Sequence, residues 1–292
     1  MLDILLADRG GTRECTGTTA RTPVWSAASR LGTLRIGASA ATLWIQVRGQ
    51  SRIEAREGGF RLSRGEWLVL ERDSAPLVQS HRGALVVGVA VPPEGWDALN
   101  ARLDLALMPG RGRLSPRDTR LALRLWRQGA ADPREPGGRN LLTLAMHLAA
   151  FQDGLAELHR RCPGRSQQRK RHVLGRMQRA RLYLEGNAHR VVRLSELAEL
   201  TNQSIWHFSK TFRCLYDESP QEAAVRLRLE LACRLLRESG MSISEVGAAC
   251  GFENCCSFSR KFRAHYRMTA SQYRHDAGAS DESGPAFVRA TA

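Results

Sequence analysis

Residues 194–216 recur at 243–266. Leu194-Ser195-Glu196-Leu197 matches Ile243-Ser244-Glu245-Val246 at an offset of 49, and Phe208-Ser209-Lys210-Thr211-Phe212-Arg213 with Tyr216 matches Phe258-Ser259-Arg260-Lys261-Phe262-Arg263 with Tyr266 at an offset of 50. Aromatic and basic identities held in register over so long a stretch mean one supersecondary unit used twice. The change of offset puts one inserted residue in the second copy's turn. Each copy reads as helix, tight turn, helix. In the first, Leu194, Leu197 and Ala198 form an apolar face, Thr201-Asn202-Gln203 turns the chain, and Ser204 caps a helix to about Leu215. In the second, Ser242-Ile243-Ser244-Glu245 is a capping box, Gly251 supplies the turn, and Glu253 or Asn254 starts the next helix. Arg193 stands where the second copy has Ser242, so the first copy's opening helix is expected to lack that cap.

Between the copies, Ser219-Pro220-Gln221-Glu222 combines a Ser cap, a Pro at the first helical position and a Glu at the third. The apolar positions Val225, Leu229, Ala232, Leu235 and Leu236 carry the helix on to Gly240. At ~1.5 Å per residue this rod is roughly 30 Å long. That is close to the ~34 Å of one DNA turn, so two helix-turn-helix units could face successive major grooves on one side of a duplex.

At these residues the chain resembles the AraC family of bacterial transcription regulators. The resemblance covers about Arg176 to Arg274. It rests on the two units of unequal turn length, the Ser219-Pro220-Gln221 opening, Ile243-x-x-Val246-x-x-x-Cys250-Gly251-Phe252, Phe258-x-x-x-Phe262 and Ser271-Gln272-Tyr273-Arg274. Departures are local: Ala223 replaces an aromatic, Ala270 a Pro and Gly247 an Ala of the family pattern. The resemblance implies double-stranded promoter DNA as partner, RNA polymerase as a second, and activation more often than repression. It also implies a front domain that takes a small-molecule effector or a second subunit.

The face of the second helix that enters the groove is the one opposite the buried aromatics, so Phe208, Phe212, Phe258 and Phe262 are assigned to the core. Base-reading candidates are Ile205, Trp206, Ser209 and Lys210 in the first unit and Cys255, Cys256, Ser259 and Arg260 in the second. Arg260 matches guanine O6 and N7, with a plain phosphate clamp as the alternative. Arg213 and Arg263 are read as backbone anchors. Cys255-Cys256 makes either small base contacts or a thiol sensor of oxidants, electrophiles or soft metals.

The front half has a different period. From Thr33 to Pro92 short apolar-polar runs are punctuated by Gly49, Gly58-Gly59, Gly65, Pro76 and Gly83, the pattern of a small antiparallel β-barrel or sandwich. In the family context Leu62 to Leu70 resembles a cupin strand. His81 is the only histidine before His147, so no metal site and no catalytic residues are expected there. Trp25, Trp44 and Trp67 either line an apolar effector pocket or form plain core. Farther on, Leu141, Leu144, Leu148, Phe151, Leu155 and Leu158 follow a 3-4-3-4-3 spacing, which is either helix packing within the domain or the seam of a homodimer.

The expected fold is therefore multidomain α and β, a cupin-like β-barrel or sandwich with following helices joined to an all-α domain of two helix-turn-helix units on a long linker helix. The expected divisions are a poorly structured start at 1–22, the β domain at 23–93 and a helical linker or dimerisation region at 94–162. A basic linker at 163–171, the DNA-binding domain at 172–275 with units near 194–215 and 243–265, and a disordered tail at 276–292 complete them.

Charge supports a polyanionic partner, since 44 Lys+Arg against 29 Asp+Glu leave +15. It does not locate the interface: Lys170–His275 holds 18 Lys+Arg and 10 Asp+Glu, and the remainder 26 and 19. The longest apolar run, Ala84 to Pro93, is short of the ~20 residues a membrane span needs, and Asp3 and Asp8 replace the positive charge of a secretory signal. Seven cysteines in an odd set fit reduced thiols, so a cytoplasmic protein without a membrane partner is expected. Two rival functions stand beside the regulator. One is a Cys-dependent DNA-repair or other enzyme with an appended DNA-binding module, although Cys15 and Cys162 lack a supporting sequence context. The other is a nonspecific nucleic-acid binder acting through charge alone.

Overall fold

The computed structural model describes residues 4–15, 22–103, 107–132, 138–152 and 154–281. Two sheets make the front domain. The first has the order β1 (Ile4–Ala7), β3 (Val24–Ser29), β10 (Leu85–Val91), β5 (Ala41–Arg48), β8 (Glu66–Leu70), β11 (Gly110–Arg113). The second runs β2 (Thr12–Cys15), β4 (Thr33–Ile36), β9 (Leu77–Ser80), β6 (Gln50–Ala55), β7 (Gly58–Ser63). Pairing is antiparallel except for β1 on β3 and β2 on β4.

The first sheet is covered on both faces, which explains why β8 and β10 read as nearly unbroken apolar runs. Leu43, Ile45, Trp67, Val69, Val87 and Val89 face a helical layer of α1 (Pro93–Ala101), α2 (Pro116–Ala131) and α3 (Arg139–Ala149). Their neighbours Trp44, Leu68, Leu70, Val86 and Ala90 face Leu34, Ile53, Phe60, Leu62 and Val78 of the second sheet. The three tryptophans consequently line no common cavity. Trp25 and Trp67 lie in the core under the helices, Trp44 lies between the sheets, and all three are buried. Each ring rests on a glycine: a Cβ on Gly129 would come within 2.1 Å of Trp25, one on Gly88 within 2.3 Å of Trp44 and one on Gly112 within 2.7 Å of Trp67. Trp25 also meets Trp126 edge-on at 6.2 Å, and the Trp126 indole donates to Gly88 O at 2.8 Å. The plain-core alternative thus replaces the Trp25, Trp44, Trp67 pocket.

The start of the chain is more ordered than expected. Within 1–22, β1 and β2 are both paired, and Asp8 accepts from Ser29 Oγ at 2.6 Å and Arg30 Nε at 2.8 Å. The β domain also extends past residue 93 through β11, which pairs with β8.

The leucine seam is not a continuous helix. Gly154, at φ 76, separates α3 from α4 (Leu155–Arg161). Leu141, Leu144 and Leu148 are buried under the first sheet with Phe151 packed beside them, whereas Leu155 and Leu158 join the core of the C-terminal domain. The 3-4 spacing therefore records packing within one chain rather than a dimer contact.

The expected linker at 163–171 is half helix, because α5 (Gln167–Gly186) starts inside it, capped by Ser166 Oγ on Arg169 N at 3.2 Å. This helix belongs to both domains. Leu182 enters the core between the sheets, while Leu174, Met177, Ala180 and Leu184 pack against the first helix-turn-helix unit. The remaining elements are α6 (Leu194–Thr201), α7 (Ile205–Tyr216), α8 (Pro220–Glu238), α9 (Ile243–Ala249), α10 (Cys255–Tyr266) and α11 (Ala270–Asp281). Helix α11 carries residues 276–281 of the expected tail, and 282–292 lie outside the described residues.

Leu148→Asp should place an unpaired carboxylate in this core and cost on the order of 3–5 kcal/mol. A marked loss of front-domain stability in thermal denaturation is expected. Changed self-association at an unchanged melting temperature would restore the dimer seam.

Candidate nucleic-acid interface

In the first unit, α6 ends at Asn202, held at φ 50, and Gln203 N bonds back to Ala198 O at 2.9 Å. Ser204 Oγ then accepts from His207 N at 3.2 Å and starts α7. In the second, Ser242 Oγ accepts from Glu245 N at 3.2 Å while Ser242 N donates to the Glu245 carboxylate at 2.7 Å. Gly251, at φ 71, turns the chain and Asn254 Oδ1 accepts from Ser257 N at 2.8 Å to open α10. Only glycine fits at 251, since a Cβ would stand 2.8 Å from Arg190 Cα where the two units abut.

Arg193 supplies no side-chain cap, as its sequence position predicts, because a guanidinium has no acceptor. Glu196 compensates. Its Oε1 accepts from Arg193 N at 2.8 Å, and its Oε2 accepts from Arg190 Nη2 at 2.7 Å and Tyr183 OH at 2.9 Å. The Arg190 guanidinium foremost, together with these donors, holds the Glu196 carboxyl down to about 2.

The phenylalanines decide which way each recognition helix turns. Phe208 and Phe212 are buried with ring centroids 5.7 Å apart, and Phe258 and Phe262 repeat the arrangement at 5.5 Å. On the other side of α7, Ile205 is 47% exposed and Trp206 70% exposed, with Lys210 Nζ 4.9 Å from the Trp206 ring centroid. Cys255, Cys256, Ser259 and Arg260 are exposed on α10, as are Arg213 and Arg263 farther along their helices. Ser209 differs from the rest: its hydroxyl is buried and, among the described residues, has no hydrogen-bond partner. Cys255 Sγ lies 3.9 Å from Ser259 Oγ. Among the described residues no three His, Cys, Asp or Glu side chains converge on a metal-sized site.

Helix α8 fixes the spacing of the units. Its capping box is complete, with Ser219 N bonded to Glu222 at 2.7 Å and Glu222 N to Ser219 Oγ at 3.2 Å. Its first half contributes Ala223 and Leu227 to the core of the first unit, and Leu229, Ala232, Cys233 and Leu236 belong to the second. Nineteen residues span roughly 28 Å at ~1.5 Å each.

Arg228 is the residue the sequence reading missed. It donates from Nε to Cys250 O at 2.7 Å and from Nη2 to Gly251 O, and its guanidinium lies 4.0 Å from the Phe252 ring centroid. It therefore ties the rod to the turn of the second unit and satisfies carbonyls left free at the end of α9. The signal was present: Arg228 sits on the apolar stripe of Val225, Leu229 and Ala232, where a charge needs an inward partner. The departures from the family pattern are also accommodated. Ala223 and Ala270 are buried, and a Cβ on Gly247 would press on the Phe258 ring at 3.2 Å.

Residues 197–276 match a family model described as a helix-turn-helix domain. The chain is similar to the MmsAB operon regulatory protein of Pseudomonas aeruginosa, 32% identical over 92 residues that cover 32% of this chain and 30% of that protein. It is also similar to the HTH-type transcriptional regulator CdhR of the same species, 38% identical over 79 residues, 27% of this chain and 24% of that one. The lactose operon transcription activator of Staphylococcus xylosus is 27% identical over 93 residues, 32% of this chain and 33% of that one. The matches span about a quarter to a third of these relatives. Among solved structures, the DNA-binding domain of AdpA in complex with a target DNA is 25% identical, covering 37% of this chain and 97% of that one with a TM-score of 0.35.

A carboxyl whose folded pKa is depressed contributes stability that is complete above its unfolded value and disappears as the pH falls through the folded one. The Glu196 contribution should thus be present above an unfolded pKa of ~4.3 and vanish by about 2. Glu196→Gln should lower stability near neutrality, and its difference from the parent in urea denaturation should shrink steadily as the pH is lowered through that window. A pH-independent difference would contradict the assignment.

Proposed function

The C-terminal domain of this chain belongs to the AraC family of helix-turn-helix regulators, and from that premise we propose that the whole protein is a sequence-specific, double-stranded DNA-binding transcription regulator that acts in the cytoplasm. The observation that carries the proposal is the pair of exposed faces on α7 and α10, repeated at an offset of 50 residues and joined by one rod packed into both cores. In this reading Ile205, Trp206 and Lys210 read the first major groove and Cys255, Cys256, Ser259 and Arg260 the second, with Arg213 and Arg263 on the phosphates. The Ser209 hydroxyl is buried rather than presented with these side chains, so it is dropped from the readers. The similarity to the MmsAB operon regulatory protein supports a regulator, and that to the lactose operon transcription activator supports an activator. In the same reading activation proceeds by recruiting RNA polymerase.

The settings of Cys15 and Cys162 do not favour a Cys-dependent enzyme built on either of them. Burial pushes the Cys162 thiol up to about 11 and raises that of Cys15, the opposite of what a nucleophile requires. The described helices include none long and apolar enough to cross a membrane. An effector, in the same reading, enters not the tryptophan-filled β domain but a 670 Å³ cleft bordered by Trp96, Asp97, His172, Arg176 and Thr201, where the front domain faces the turn of the first unit.

Selection of bound sites from random duplexes by the full chain should yield two short base blocks about one helical turn apart. Lys210→Ala should relax preference in one block and Arg260→Ala in the other, each at a cost of ~1 to 3 kcal/mol on the preferred duplex. Equal losses on every duplex would turn both side chains into phosphate contacts and leave a binder acting by charge alone.

A further inference from the structure

A 500 Å³ hollow opens between the α4–α5 junction and the first turn of α7. Arg165, Ser166 and Arg169 line one side, His207 lines the other, and Pro163 and Val173 form part of the wall. His207 directly follows Ile205 and Trp206, so the hollow adjoins the surface assigned to base reading.

Its charge is unusual for this protein. Between Glu157 and Glu185 the chain has nine Lys or Arg residues and no carboxylate, and α7 has no carboxylate either. Most arginines nearby are already engaged: Arg161 with Asp217 at 2.5 Å, Arg179 with Glu57 at 2.8 Å, Arg190 with Glu196 at 2.7 Å. Arg165 and Arg169 are exposed, and among the described residues neither side chain has an ion-pair or hydrogen-bond partner. Two free guanidiniums and an imidazole on a concave surface without a competing carboxylate present donors suited to the oxygens of a phosphodiester.

We propose that this hollow seats a backbone phosphate of the duplex that α7 reads, held by Arg165 and Arg169 from the interdomain junction and by His207 from the recognition helix. The inference rests on the regulator reading and extends it to residues outside both helix-turn-helix units. Such a contact carries no base information but fixes the depth and angle of α7 in its groove. It also has a structural consequence. Arg169 lies on α5, whose Arg179 is bonded to the buried Glu57 of the front domain, so the phosphate is gripped from the helix that both domains share.

The test measures duplex affinity of the full-length protein between about 50 and 200 mM salt, on the selected duplex and on a random-sequence duplex. The proteins are the parent, the double variant Arg165→Gln/Arg169→Gln, and Lys210→Ala. Removing one phosphate neutralisation should reduce the slope of log affinity against log salt by about 0.9. The double variant should show about that reduction, weaken on both duplexes by a similar factor, keep the parent's base preferences and keep its melting temperature. Parental slope and affinity in the double variant, alongside weakened base preference in Lys210→Ala, would overturn the phosphate seat and leave the regulator intact. A loss confined to the selected duplex would overturn it too, by making Arg165 and Arg169 base readers. No duplex binding by the parent would remove the regulator reading and this inference together.

Discussion

The burial of Phe208 with Phe212 and of Phe258 with Phe262 governs the rest of the molecule. At three to four residues per turn, two aromatic side chains at i and i+4 commit one helical face to the core, and each buried ring stabilises by roughly 1.5–3 kcal/mol. Once they are inside, α7 turns Ile205, Trp206 and Lys210 outward, and α10 turns Cys255, Cys256, Ser259 and Arg260 outward. The same burial orients α8, because its leucines complete both cores in succession. A single rod with each half sunk in a different core cannot bend without opening one of them. The distance between the two outward faces is thereby set by helix geometry rather than by a loop.

A second constraint links this pair to the β domain. Glu57 is fully buried at the β6–β7 turn and accepts from Arg179 Nε at 2.8 Å and Ser74 Oγ at 3.0 Å, while its backbone oxygen accepts from Asn187 Nδ2 at 2.9 Å. Nearby, Gly186 packs so closely that a Cβ would stand 2.4 Å from Glu57 O. Removing either partner of such a buried pair strands a charge, which is strongly destabilising. Arg61 to Glu238, at 3.3 Å, adds an exposed contact from the second sheet to the end of the rod. The front domain thus touches the DNA-binding domain at both α5 and the end of α8.

The helix-turn-helix repeat was legible because its signals are local. Ser204, Ser219, Ser242 and Asn254 cap the helices they precede, and Gly251 occupies the positive φ its turn needs. What escaped the sequence was non-local. The strand β11, Gly110-Arg111-Gly112-Arg113, has no apolar side chain; it exists because Gly112 lets the Trp67 ring lie against its backbone. Strands β1 and β2 are four residues each and pair in parallel, a contact that no hairpin signal announces. Leu141 to Leu158 carried a true helical period, but periodicity names a buried face without naming what buries it, and Gly154 divides that face between two cores. The tryptophans were similarly ambiguous, since residue type cannot say which side of a sheet a ring occupies. Arg228 sits on an apolar stripe that marks it as inward, but only the fold shows that its partners are Cys250 O and Gly251 O.

Hydroxyl-radical footprinting of the full-length protein on a selected duplex tests the central claim most directly, since it maps backbone contacts without presuming which bases are read. Two rigidly spaced recognition helices predict two protected patches on one face of the duplex, about 10 base pairs apart and equally strong in register. A single patch, or two whose separation varies from site to site, would contradict a rod that fixes both units at once.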